Sequence, residues 1–479
     1  NHNGSTLIRH DAASTPSGFT NAADWGFLPE AGGTANTKAL QRAVDQGGTI
    51  MVSRPGIYDV SGTILIGSHT TLRFGNGVVL RKVADGGAFS HVFLNKGALS
   101  KTWDENIVVE GLTIRVNGVD QASDLVYGLR GQLAFFYAKD VRIERFRCFD
   151  LARMQFCIHV CTFEDLMIED VIIHGQKDGI HLGRGKRFVI RDCVFQTFDD
   201  AIALNGHDYS TSNPELGWIE DGVIENCHDL NQDNTTGYFC RILAGSWTDW
   251  RSGMSVQQSD TVVSSGRLYR VQAEPDGTIF TSTKRPTHAS GQQTLDGIRW
   301  GVVQNEVTYT AGVRNVVFRD ITLAKPRVGF SVHFDNNRYS RSVYPGSPPV
   351  IQRGLRFEHV QVRHDKNVSL FSIATPVEAL TISSSTFGRG GIRFRGNNAV
   401  TDYLPTQVNL IGCTFSHDGP MELLKIAVPE KQVTLKSMAS VVVDPGFLAR
   451  VAPGPGDLNV ESDLPGLQNA AADSDASNP

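Results

Sequence analysis

The chain has 479 residues, 45 of them basic and 50 acidic, for a net charge of −5; 40% are hydrophobic and 20% charged. This balance excludes wholesale disorder and a nucleic-acid binder driven by bulk charge. The lack of any apolar run of about eighteen residues excludes a helical membrane span, and the scarcity of long amphipathic stretches excludes an all-α enzyme.

In chain order, residues 1–18 are polar and small and read as a flexible N-terminus. Asn1 stands where Met would, which fits a removed signal peptide or a trimmed chain, and with it a secreted or periplasmic protein. Ala39, Leu40, Ala43 and Val44 recur at helical spacing, which predicts a helix over 36–46 with Asn36 or Thr37 as N-cap. Strand segments follow at 49–52, 62–66 and 71–74. A short helix ahead of the first strands would cap an otherwise open sheet edge.

From residue 107 onward a strand phrase repeats: apolar, any, apolar, polar, polar or small, apolar. It reads Val141-Arg-Ile-Glu-Arg-Phe146, Leu166-Met-Ile-Glu-Asp-Val171, Phe188-Val-Ile-Arg-Asp-Cys193, Val316-Val-Phe-Arg-Asp-Ile321 and Leu355-Arg-Phe-Glu-His-Val360, with looser copies to Met438. Ile143 to Ile168 is 25 residues, Ile168 to Ile190 is 22, Phe357 to Ile382 is 25, and Leu410 to Leu435 is 25. Short β phrases at such a period predict a solenoid whose coils bury their apolar faces only by stacking. The turns lack a leucine-rich pattern, so the reading is all-β: a right-handed parallel β-helix.

The period breaks between Ile224 and Phe318, a gap of 94 residues. Within it, 256–304 carries Tyr269, Phe280 and Trp300 with Asp276-Gly277 and Asp296-Gly297 turn signals, and reads as a small β insert. The predicted organisation is therefore β-helix over 19–255 and 305–450, divided by the insert, with a tail at 451–479. Tyr269 and Trp300 either stack on sugars or form the insert's core. The seven cysteines are an odd number and complete no zinc site. Cys193, Cys227 and Cys413 share one phrase position and predict an internal stack of small side chains.

Alternation along the segments preceding each phrase puts Ile158, Ile180, Ile202, Ile242, Val332 and Phe394 inward. The outward set is then Tyr137, His159, His181, Arg241, His333, Asp335, Arg393 and Arg395. Asp178 and Asp200 are 22 residues apart, one coil, so they fall on adjacent rungs with Asp199 beside them. Three adjacent carboxylates raise at least one pKa by repulsion, which is the acid/base split that glycoside hydrolysis needs. His159, His181, Arg241, His333, Arg393 and Arg395 are the candidate substrate-binding residues, and Arg among them suits an acidic sugar.

Gln176-Lys-Asp178-Gly-Ile followed by Phe198-Asp199-Asp200-Ala-Ile-Ala resembles the polygalacturonase-type glycoside hydrolases of family 28. These carry Asn-x-Asp-Gly and an Asp-Asp pair one coil later, on a right-handed parallel β-helix of the pectate-lyase-like superfamily. Ala23-Asp-Trp-Gly-Phe27 and Pro55-Gly-Ile-Tyr58 resemble the opening of that superfamily. Gln176 stands at the family's Asn, and no Gly-His-Gly or Arg-x-Lys motif follows. The resemblance implies a hydrolase of a polysaccharide or oligosaccharide, pectin-like where uronate is present. It further implies inversion, with Asp199 as general acid and Asp178 and Asp200 activating water. No cofactor or metal is implied, and neither nucleic acid nor membrane is a partner. The alternatives are a β-helical polysaccharide lyase, with Lys177 or Arg241 as base and carboxylates able to hold Ca²⁺, and a tailspike-like glycan-binding protein. The chain reads as a monomer or a trimer.

Overall fold

The computed structural model describes residues 18–230, 235–396, 404–452 and 454–469. Among them 34 strands join one continuous sheet system, wound as a right-handed parallel β-helix. The repeated phrase is in register from coil to coil: Val109, Ile143, Ile168, Ile190, Ile224, Phe318, Phe357, Ile382 and Leu410 pair in succession. At the next coil Leu410 pairs with Ser437 while Leu435 pairs with Val408, two residues away from the partner that spacing suggested. A slip of two keeps every side chain on its face.

The polar positions of the phrase have a conformational cause. Asp140 and Arg145, Asp165 and Asp170, Arg187 and Asp192, Asp221 and Asn226, and Asn315 and Asp320 all have φ between 48° and 60°. Each pair brackets the short strand of one phrase. Asn and Asp tolerate the left-handed region better than other side chains, so single residues turn the corners of the coil and no long loop is needed. Between the bends the inward side chains stack: Phe318 lies on Phe357 with ring centroids 4.9 Å apart, and Phe330 on Phe371 at 5.2 Å.

All seven cysteines are free and buried. Cys193 and Cys227 are paired in register. The next positions of that row are Ile321 and Val360, so Cys413 sits apart from the pair rather than in one stack.

The capping helix runs Gly33–Val44, three residues earlier than its apolar spacing predicts, with Gly32 as N-cap. Asn36 is not the cap. It is buried inside the helix, where its amide donates to the carbonyls of Leu28 and Ala31 and accepts from the Leu28 N–H. Gln41 bonds both backbone groups of Leu65, at 2.7 and 3.0 Å, and so pairs an edge strand through a side chain. At the other end the coils continue past residue 450. Leu448–Ala452, Asp457–Ser462 and Leu467–Asn469 all pair in parallel with strands one coil away. The predicted tail is coil up to 469, because Pro and Gly at its bends hide the period. Residues 1–17 and 470–479 lie outside the described residues.

The insert is a second sheet of five strands plus a two-stranded ribbon. It begins at Thr248–Asp249, ahead of the predicted 256, because that short strand pairs with Thr261–Ser264. Tyr269 and Trp300 are both fully buried with Val256, Val262, Val271 and Ile298, which makes them its core and not sugar platforms. The buried Arg270 guanidinium donates to the carbonyls of Asp208, Ser210 and Asn213. Arg341 pairs with Asp260. The Arg270 bonds tie the segment 206–217 to the insert, and the Arg341 pair ties the insert to the loop after His333. Among the described residues no helix is long and apolar enough to cross a membrane.

Candidate active site

The parallel register sets His159, His181, Ala203, Arg241, Ser331, Ser372 and Arg393 in one outward row. His333 belongs to the next outward row, with Asn205, Leu243 and Ala374. On the inward side, Ile202 pairs with Cys240, and Ile242 with Leu204. Alternation thus predicted the faces, while one row was offset by two.

Asp178 directly precedes the strand Ile180–Leu182, and Asp199-Asp200 precedes Ile202–Asn205. The Gly179 N–H donates to the Asp200 backbone carbonyl, so the two rungs are bonded beside their carboxylates. Gly237, in the coil after, has φ +61°, and a Cβ there would lie 2.6 Å from the Asp200 nitrogen. Only glycine lets that coil close over the Asp-Asp backbone.

One oxygen from each of Asp178, Asp199 and Asp200 lies within 4.8 Å of the other two. Asp178 and Asp200 are buried, at 3% and 2% exposure, whereas the Asp199 side chain is 28% exposed. Lys177 Nζ donates to Asp199 Oδ2 and lies 3.9 Å from Asp178 Oδ1. These three carboxylates are, among the described residues, the one grouping close enough to hold a metal ion. The Lys177 ammonium already supplies a positive charge against two of them.

The environment separates the three groups. Burial, then the Asp199 charge, push Asp178 up to about 7 against the pull of Lys177 and Arg241. Burial, with Asp178 and Asp199 alongside, raises Asp200 well above the carboxylate range. Burial also opposes ionisation of Asp199, but the charge and hydrogen bond of Lys177 outweigh it and hold Asp199 low.

His181 binds Asp178 Oδ2 through Nδ1 at 2.9 Å, and its Nε2 faces Asp208 Oδ2 at 3.4 Å. It stacks on Phe156 with centroids 4.0 Å apart. Burial lowers it to about 4, so it is neutral near pH 7 and orients Asp178 rather than charging it. Arg241 bonds Asp335, which His333 Nε2 approaches at 3.3 Å. Burial opposes the Arg241 charge, but Asp335, Asp208, Asp200 and Asp178 together retain it. Asp200 Oδ1 accepts from the Tyr238 N–H at 2.8 Å.

Not every predicted residue reaches this cluster. His159 is fully buried: Nδ1 accepts from the Arg130 N–H and Nε2 bonds Asn213 Oδ1, both at 3.0 Å. It was expected to face the groove, but the segment 206–217 folds back over its rung and leaves it no free nitrogen for a ligand. His333 is likewise covered, at 6% exposure, though it belongs to the Arg241 network. Arg395 donates to Ser372 Oγ at 2.8 Å. Arg393 is exposed and three rungs beyond Arg241, about 14 Å at the usual strand spacing.

Two residues of the cluster lay outside the sequence-derived set. Asp208 follows a strand through a coil-specific turn and has no repeat partner to mark it. Arg327 is buried, holds Asp229 with two bonds of 2.9 Å and donates to the Asp199 carbonyl at 2.6 Å. Its only signal is a Lys-Pro-Arg run in a turn.

No family model and no curated protein matches the chain. Solved structures share its fold at low identity. The catalytic unit of a thermostable GH87 α-1,3-glucanase from Streptomyces thermodiastaticus is 11% identical with a TM-score of 0.54, over 96% of this chain and 70% of that one. PfbA, a surface adhesin of Streptococcus pneumoniae, is 12% identical with a TM-score of 0.52, over 96% and 97%. A hyperthermoactive exopolygalacturonase from Thermotoga maritima is 13% identical with a TM-score of 0.51, over 89% and 92%. The chain therefore has the parallel β-helix fold found in polygalacturonase-like proteins.

Proposed function

We propose that this protein acts on a polysaccharide or oligosaccharide as a glycoside hydrolase, with Asp178, Asp199 and Asp200 as its acid/base machinery. The observation that carries this is the carboxylate cluster itself: three oxygens within 4.8 Å, unequal in burial and charge, on the outer face of a sheet suited to an extended chain. The glucanase and exopolygalacturonase among the fold neighbours support the reading.

The charge pattern supports a division of roles. Asp178, poised near neutrality and held by His181, is the proton donor to the leaving oxygen. Asp199, ionised and partly exposed, is the base that activates water, and Lys177 keeps it ionised. Asp200 holds its proton, and its Oδ1 accepts from the Tyr238 N–H. This exchanges the roles of Asp178 and Asp199 relative to those implied by the family 28 resemblance, and Lys177 is the reason. The same lysine speaks against a lyase. Lys177 is raised, because the attraction of Asp178 and Asp199 outweighs burial, so it keeps its proton and is a poor base. The exposed Arg393 favours a substrate bearing carboxylates, such as a uronate polymer outside the cell.

A second reading, glycan binding without turnover, draws on the burial of Asp178 and Asp200 and on the adhesin among the neighbours. A glycan screen following reducing ends and ultraviolet absorbance together decides. Reducing ends without absorbance, lost in both Asp178→Asn and Asp199→Asn, establish hydrolysis. Unsaturated product would establish a lyase, and retained binding with no product would establish the adhesin.

A further inference from the structure

At the other end of the same short strands, away from the carboxylates, lies a second recess. Its larger part is a cavity of about 640 Å³ between the β-helix and the insert, bordered by Lys101, Trp103, Tyr137, Arg184, Gln304 and Asn305. An adjoining cleft of about 320 Å³ shares Trp103, Arg184 and Glu306 and adds Trp218, Lys186 and Arg314. Together they fall in the size range of small-ligand sites.

Trp103 stands between the two parts. It is 44% exposed, yet it is not loose: its ring meets Tyr137 edge-on at 5.4 Å, and the Tyr137 hydroxyl donates to the fully buried Glu215 at 2.8 Å. Glu215 is itself fixed by Thr162, Lys101 and Arg184. Trp218 is held by Arg314, whose guanidinium covers its ring at 4.8 Å. The walls are polar but balanced. Arg184 pairs with Glu215 and Glu306, Lys186 with Glu164, and Arg314 with Glu220. With Lys101, four cations meet four carboxylates.

A rigid apolar face framed by charge-neutral donors and acceptors matches one ligand chemistry: a ring with an apolar C–H side and a rim of hydroxyls. We propose that this recess is a binding site for a neutral oligosaccharide, with Trp103 as its stacking platform and Arg184, Glu306 and Lys101 as hydroxyl partners. The site is independent of Asp178, Asp199 and Asp200 and stands whether or not that cluster turns over.

The test is calorimetric titration of the full chain with maltoheptaose, cellohexaose and laminarihexaose, and with hexagalacturonate as an acidic control. At least one neutral oligosaccharide should bind, with an affinity indifferent to added salt. Trp103→Ala should weaken it about tenfold or more, Trp103→Phe should retain most of it, and Asp199→Asn should leave it unchanged. Thermal melts of each variant separate a lost platform from a lost fold. Glu306→Gln, at an exposed carboxylate, offers a second variant and should weaken binding several-fold. Failure of every neutral oligosaccharide to bind would overturn the proposal. So would binding that follows Asp199→Asn and ignores Trp103, or binding confined to the acidic hexamer and abolished by salt.

Discussion

The two faces of the short strands before each phrase follow different rules. Inward, Ile158, Ile180, Ile202, Cys240, Phe330, Phe371 and Ile392 form an unbroken apolar row. Outward, the adjacent row changes from His159 and His181 to Ala203, Arg241 and the serines within the same coils. The inner row repeats because stacking requires the same thing of every coil. The outer row does not repeat, because a site needs different groups on different rungs. Repetition thus marks what holds the solenoid together, and its local failure marks where chemistry can sit.

The sharpest test sets one residue from each face of the same strand region side by side. Asp178→Asn should lower turnover by about 10²- to 10⁴-fold, the usual worth of a positioned acid, while the melting temperature holds or rises because a buried charge is gone. Ile180→Ala should do the reverse. It should cost about 2–5 kcal/mol of stability through the cavity it leaves and spare turnover per folded molecule. Denaturant melts beside single-substrate kinetics read both. Equal loss of both properties in both variants would dissolve the distinction.

The comparison also explains what was legible in the sequence. The apolar phrase and its 22- to 25-residue spacing gave the coil because burial imposes a period that a single chain displays. The one-coil separation of Asp178 and Asp200 gave the cluster by the same logic. Burial of the outer row was not legible. His159 reads as an outward histidine, but the segment 206–217, which Arg270 of the insert binds, covers it through Asn213. Asp208 and Arg327 sit on turns peculiar to their coils, so no repeat announces them. The charge on Asp199 depends on where the long Lys177 side chain points, which spacing leaves open.

The pH response follows from the outer face. Asp178 is raised to about 7, from an ordinary value of about 4. Turnover should fall as pH rises through about 7, as the donor loses its proton. The sign for stability is the same: between about pH 4 and 7 the folded state keeps a proton that the unfolded chain has released, so Asp178 contributes stability that is lost as pH rises and is gone above 7. Asp178→Asn should flatten this part of the stability profile, which melts across that range would show.

Lys177→Met probes the same balance with a smaller effect. Without the ammonium, Asp199 loses the partner that holds it low, and its own titration should move upward. Turnover at neutral pH should drop by about tenfold, short of the 10²- to 10⁴-fold worth of a general base removed outright, and the acidic limb of the rate profile should shift to higher pH. Were Asp199 the acid instead, the same substitution would raise its proton occupancy and increase turnover, so the direction of change separates the two assignments.

The smallest effect belongs to the far end of the outer row. Arg393 is exposed and three rungs beyond Arg241. No inward packing depends on it, so Arg393→Ala should change stability by no more than about 0.5 kcal/mol. If the groove carries an acidic chain that far, KM for long substrates should rise several-fold while kcat holds, and substrates too short to span the distance should be unaffected. Kinetics on a length series reads this directly. A KM change of equal size on the shortest substrates would mean that the substrate binds beside Arg393 and away from the carboxylates, and no KM change at any length would shorten the groove to the rungs around Arg241.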